Sequence, residues 1–253
     1  MATSASHEAA AADAGWTDES TALEWASGDR LGDLLSLPRR LAVAVAAADL
    51  GEFTQVVDVG SGPGEFLAAA LERCQEAHGT WIDVSPAMER LARVRLGGLA
   101  SRVEFSVTDL SRLGQVVPSG SADLVVSSRV THHLGADELT AFYGQVARVL
   151  RPGGWLANLD HMTIAEPWGG RLRRARAELL PVNPSRHPHD HPLPAARQHA
   201  DALAAAGFTD LDMPWRAFWS VLVLARKPGP ARFPGAPGNP DQPKQPSEEG
   251  QTR

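Results

Sequence analysis

Val56-Val57-Asp58-Val59-Gly60-Ser61-Gly62-Pro63-Gly64-Glu65-Phe66 carries an apolar run into a cluster of glycines and out again into a helix-like pattern. An apolar run bounded by glycines reads as a buried strand. Gly60 and Gly62 can take backbone angles closed to other residues and leave room for a ligand against the main chain. The helix that follows Gly64 points free N–H groups at the same place. The stretch predicts a strand, a nucleotide-type loop and a helix, in that order.

Outward from this unit the pattern repeats. Short apolar strands are predicted at 55–60, 79–84, 103–108, 122–128 and 155–161, separated by helices at 64–76, 86–96 and 137–150 and a short helical piece at 111–116. Strands alternating with helices imply a parallel sheet covered on both faces, a doubly wound α/β architecture. Arg151-Pro152-Gly153-Gly154 ends a helix and turns the chain into the fifth strand. After helix 194–206, the runs 209–218 and 220–226 have no helix between them and predict an antiparallel hairpin at the sheet edge, for seven strands in all. Alternation there puts Trp215 and Ala217 on one face and Arg216 and Phe218 on the other. Ahead of the sheet, residues 18–49 read as two or three helices, one of them starting at Pro38.

Composition narrows the function classes. Residues 1–15 lack periodicity, and residues 228–253 hold seven of the nineteen prolines, so both ends are expected to be disordered around one domain spanning 16–227. The start has no basic region or apolar core of a secretory signal, and no run of eighteen apolar residues occurs, which predicts a cytoplasmic protein without a membrane partner. Cys74, the single cysteine, reads as a core residue. A net charge of −6 gives no general attraction to phosphate backbones, so nucleic acid is not the expected partner.

A dinucleotide turn needs G-x-G-x-x-G, but its third glycine position holds Glu65, and the Gly-Lys-Ser/Thr ending of a mononucleotide loop is absent. The spacing is G-x-G-x-G with Asp58 two residues before it. Asp83 closes Trp81-Ile82-Asp83-Val84-Ser85, Asp109 follows the third strand in Val107-Thr108-Asp109-Leu110, and Leu150-Arg151-Pro152-Gly153-Gly154 precedes the fifth. Taken together, residues 18–227 resemble the class I S-adenosylmethionine-dependent methyltransferases, in particular short bacterial enzymes acting on small molecules. The segment 166–193, long for a connection, reads as a lid insertion over the pocket. The resemblance implies a Rossmann-like fold and S-adenosylmethionine as cofactor. It implies that Asp83 accepts the ribose hydroxyls, that Val84 and Met88 flank the adenine, and that Asp109 beside Leu110 meets the adenine amino group. Asp58, Gly60, Ser61, Gly62 and Gly64 of the loop and Ser127 at the end of the fourth strand complete the expected cofactor site.

Catalytic candidates follow strands four and five, where a ligand collects in an open parallel sheet: Arg129, His132 and His133, then Asp160 and His161. Histidine titrates near working pH and suits a general base, with His133 and His161 foremost. Asp160 can orient a histidine or satisfy the turn, and Arg129 can hold a substrate carboxylate or make a surface ion pair. Arg171, Arg173, Arg174 and Arg176 form a basic run read as a solvated helix face, and His187-Pro188-His189-Asp190-His191 reads as a substrate-facing or pH-sensitive loop rather than a metal site. Trp25, Arg30 and Arg39 belong to helices that close over the cofactor in similar enzymes. The expected function is methyl transfer to an oxygen, nitrogen or carbon of a small molecule by a monomer or homodimer. An RNA or protein methyltransferase, or a cofactor-binding protein without methyl transfer, are the alternatives.

Overall fold

The computed structural model describes residues 17–28, 32–180 and 192–229. Expectations for residues 1–15, for Arg30, for His187 to His191 and for most of the Pro-rich tail lie outside these residues, as does the side chain of Trp25. Helices α1 (Glu19–Gly28) and α2 (Gly32–Leu50) precede the first strand. Pro38 lies inside α2 rather than starting a helix. It is buried in a stretch where Leu35, Ala42, Val43, Ala46 and Leu50 pack on the sheet, and that burial outweighs the lost hydrogen bond.

The sheet begins with β1 (Gln55–Val59), α3 (Glu65–Arg73), β2 (His78–Asp83), α4 (Pro86–Leu96) and β3 (Val103–Val107). After the short helix α5 (Leu113–Val116) come β4 (Ala122–Ser128), α6 (Ala136–Val149) and β5 (Leu150–His161). The chain closes with α7 (Trp168–Leu179), α8 (Ala196–Ala205), β6 (Thr209–Ala217) and β7 (Ser220–Arg226). The strand order is β3-β2-β1-β4-β5-β7-β6. β1 pairs in parallel with both β2 and β4, so the winding direction reverses between β1 and β4 and opens a crevice at their carboxyl ends.

Alternation splits the core in two. Val56, Trp81, Leu124, Val126 and Leu222 face the layer of α2, α3 and α4, whereas Val57, Val59, Ile82, Val125 and Val223 face Phe142, Tyr143 and Leu203 of α6 and α8. Each such aliphatic side chain contributes about 1.5–3 kcal/mol on burial. Cys74 is buried just past α3 in the first layer, where its thiol packs as core. The edge hairpin forms as expected, but β7 is the strand inserted beside β5. Its run Ser220–Arg226 is buried along both faces, while β6 alternates between half-buried Met213, Trp215 and Ala217 and exposed Pro214 and Arg216. Phe218 falls in the turn beyond β6 rather than on its other face.

The Pro-Gly-Gly turn is a bulge within β5. Ala122 pairs with Leu150 and Leu124 with Trp155, which leaves Arg151 to Gly154 looped out, with Gly153 at φ 79°. Lys227 Nζ caps the preceding helix end by donating to the carbonyls of Ala147 and Leu150 at 2.6 Å. No helix among the described residues is long and apolar enough to cross a membrane.

Candidate functional site

The glycine loop is shaped from behind. Asp58 points into the apolar layer, 1 % exposed, and accepts from Ser61 Oγ at 2.7 Å and from the Leu67 N–H at 3.1 Å. Gly60 sits at φ 64°, and a Cβ there would lie 2.1 Å from Val130 Cγ2. Gly64, at φ 81°, donates its N–H to Ser61 and faces Ala92 and Leu96 of α4. Gly62, at φ 52°, meets open space instead. Its carbonyl accepts from Trp81 Nε1 at 2.9 Å, and its N–H donates to Asp83 at 2.8 Å.

Burial pushes Asp58 up to about 7, against the hydrogen bonds from Ser61 and Leu67 and the Arg39 charge. The folded value lies above the ordinary 3.8, so from roughly pH 4 to 7 the folded protein keeps a proton that the unfolded chain has lost. Stability on this account falls as pH rises through that window, by on the order of 4 kcal/mol. Asp58→Asn is expected to flatten the decline in melting temperature across that range. A variant whose profile matches wild type would show that Asp58 does not titrate there.

A cavity of about 250 Å³ opens at the crevice. Gly60, Gly62, Asp83, Val84, Met88, Asp109 and Leu110 line it, as do Arg129 and His133. Asp58, Ser61, Gly64 and Ser127 do not; Ser127 is fully buried and donates to the Val59 carbonyl at 2.9 Å, tying β4 to β1. The second oxygen of Asp83 accepts from the Ser85 N–H at 2.9 Å, and burial pushes its carboxyl above the ordinary carboxylate range against these hydrogen bonds. Ser85 caps α4, with Pro86 in its first turn. Asp109 caps the turn at Leu110 by accepting from the Ser111 N–H.

One wall was not foreseen. Glu138, Ala141, Phe142 and Gln145 of α6 also line the cavity. Their i, i+3, i+4, i+7 spacing marks one helix face in the sequence, yet the same spacing describes ordinary core packing. Glu65, which occupies the position of the missing third glycine, is equally unforeseen in its company: it pairs with Arg39 at 2.6 Å and has Arg95 at 3.4 Å and Arg129 at 3.9 Å. Arg129 takes a left-handed φ of 59° and donates its N–H to Leu159.

Behind the cavity lies a buried polar hub. Asp160, 1 % exposed, accepts from Thr131 Oγ1 at 2.6 Å, from the N–H groups of Val130 and His132 at 3.0 and 3.1 Å, and from the His161 N–H at 2.7 Å. His132 Nδ1 completes the set. Burial alone would raise Asp160, but the His132 charge and hydrogen bond, with His161 and Thr131, hold it well below the usual carboxylate range. An ionised carboxylate only accepts, so Nδ1 of His132 carries the hydrogen it directs at Asp160. The His133 ring lies 4.0 Å from that of His132, which lies 5.2 Å from that of His161; Ser220 Oγ approaches His161 Nδ1 at 3.2 Å. The three imidazoles are therefore neighbours, and His133 is the one at the cavity wall. Asn158 Nδ2 extends the hub to Thr131 Oγ1 and Tyr143, whose hydroxyl bonds His199 at 2.7 Å. Among the described residues no cluster could hold a metal ion.

Residues 56–154 match a family model described as a methyltransferase domain. The chain is similar to methyltransferase domains over this stretch, which runs from β1 to the bulge of β5. It is 34 % identical over 171 residues to the trans-aconitate 2-methyltransferase of Azoarcus sp. (strain BH72), covering 63 % of this chain and 59 % of that protein. It is 28 % identical over 128 residues to the mitomycin biosynthesis 6-O-methyltransferase of Streptomyces lavendulae, covering 50 % of this chain and 36 % of that one. The chain thus spans less than two thirds of the length of these curated relatives. Its fold is shared with human N-acetylserotonin methyltransferase in complex with S-adenosylmethionine, with a TM-score of 0.61 at 20 % identity over 84 % of this chain and 57 % of that one.

Proposed function

We propose that this protein transfers a methyl group from S-adenosylmethionine to a small-molecule acceptor. The observation that carries the reading is the cradle at the β1–β4 reversal: Gly62 has open space where a side chain would stand, and Asp83 faces the same cavity. Each Asp83 oxygen takes one backbone N–H and keeps a lone pair, so the carboxylate suits two neighbouring ribose hydroxyls. Val84 and Met88 on one side and Asp109 and Leu110 on the other suit an adenine. Asp58, Ser61, Gly64 and Ser127 act from behind by holding the loop and strand ends. The names of the trans-aconitate and mitomycin enzymes support a small acceptor.

The cofactor supplies an already activated methyl group, so this chain's residues mainly position the acceptor and exclude water. His133 stands at the cavity wall and takes a proton from a protic acceptor, a step that is worth about 10²–10⁴ in rate. His132, clamped by Asp160, backs the His133 ring and fixes its place. The test is calorimetry with S-adenosylmethionine, followed by detection of S-adenosylhomocysteine with candidate acceptors. Asp83→Ala is expected to weaken cofactor affinity at least tenfold, or about 1.4 kcal/mol, in a protein that still melts cooperatively. Unchanged affinity in the folded variant would remove Asp83 from the site.

A further inference from the structure

The basic run of α7 does not behave as one solvated face. Arg173 pairs with Glu166 and Arg171 lies over Trp168. Arg176 instead turns inward, half-buried, with its guanidinium carbon 4.8 Å above the Trp219 ring. Among the described residues no carboxylate pairs with Arg176, and burial disfavours its charge. A half-buried guanidinium with no acid beside it among the described residues stands in the arrangement that an incoming anion completes.

Neither Arg176 nor Trp219 lines the cavity itself, but their surroundings meet the hub beside it. Trp219 occupies the β6–β7 turn, where Phe218 holds a left-handed φ of 54°, a conformation a bulky residue keeps only when its neighbours enforce it. The Trp219 carbonyl accepts from the Met162 N–H at 2.8 Å, and its ring stands 6.5 Å from that of His161. From His161 the imidazoles run through His132 to His133 at the cavity wall. Because α7 starts seven residues after the end of β5, the helix lies at the same carboxyl edge of the sheet as the crevice.

We propose that Arg176 and Trp219 form the acceptor-recognition end of the site, and that the acceptor is a small planar acid whose carboxylate pairs with Arg176. The inference rests on the methyltransferase reading and names its substrate class. One guanidinium offers two parallel N–H donors, which match a planar carboxylate. The indole face offers a flat apolar surface to a conjugated acid.

The full chain saturated with S-adenosylhomocysteine is titrated by calorimetry with trans-aconitate, cinnamate and 4-hydroxybenzoate, each against its neutral methyl ester. At least one acid is expected to bind tenfold or more tightly than its ester. Arg176→Gln is expected to erase that preference, while Arg174→Gln on the exposed face keeps it and both variants hold S-adenosylhomocysteine as wild type does. If S-adenosylhomocysteine binds but no acid outcompetes its ester, or Arg176→Gln keeps the preference, the proposal falls and the methyltransferase reading stands. If S-adenosylhomocysteine itself does not bind, both fall.

Discussion

Asp160→Ala is expected to lower turnover a hundredfold or more and to cost about 3–5 kcal/mol of stability, the usual penalty for stripping a buried ionic hub of its acceptor. Five donors converge on this carboxylate: the hydroxyl of Thr131, Nδ1 of His132, and the N–H groups of Val130, His132 and His161. Without it they stay buried and unpaired, and the His132 ring is free to turn over or to change tautomer. Chemical denaturation and steady-state rates of the variant measure the two effects. Stability equal to wild type would show that water replaces the carboxylate and that the hub is not structural. The pH dependence has a definite sign. Asp160 is held below its ordinary value of 3.8, so its contribution is complete at neutral pH and is lost as pH falls below roughly 4. Asp58 acts oppositely in the window above, and the two variants together separate acid unfolding from the neutral-range decline.

Gly60→Ala is expected to destabilise the protein by about 2–4 kcal/mol and to abolish cofactor binding. The new methyl would lie 2.1 Å from Val130 Cγ2, and the φ of 64° adds the strain of a left-handed residue. Val130 cannot yield freely, because its N–H is held by Asp160 in the loop that also carries His132 and His133. Gly62→Ala makes the contrast. With nothing within 4 Å of its added Cβ, it costs only about 1 kcal/mol in backbone strain but puts a methyl into the cavity. It is expected to fold and to bind S-adenosylmethionine weakly. Pairing Gly60→Ala with Val130→Ala is expected to recover part of the lost stability, as coupled neighbours do. If the double variant is merely the sum of the two losses, the clash is not the cause.

Much of the fold was legible in the chain. The predicted strand at 122–128 and helix at 86–96 coincide with β4 and α4, because local chemistry marks them: Ser85-Pro86 caps the helix and the apolar Leu124-Val125-Val126 centres the strand. The cavity-lining set at Gly60, Gly62, Asp83, Val84, Met88, Asp109 and Leu110 was legible for a related reason. Successive parallel strands end on one edge, so the residues that follow each strand must meet. Pro38 and the bulge at Arg151 to Gly154 were misjudged in detail because long-range packing decided them. The roles of Asp58 and Ser127 depended on side-chain direction at the strand end. Both lie in the predicted loop and strand, yet both turn away from the cavity.

The sequence by itself determined the order of elements and the carboxylates at the strand ends, since periodicity and turn chemistry act over a few residues. Only the tertiary structure decided which polar side chains face the ligand and which hold the wall behind it. That choice arises where separate segments meet: Asp160 of β5 gathers donors from the loop after β4, Arg176 of α7 finds Trp219 from the hairpin, and Val130 fills the space that Gly60 leaves. Contacts between residues tens of positions apart carry no local signature, because each is selected by the packing of the whole sheet edge.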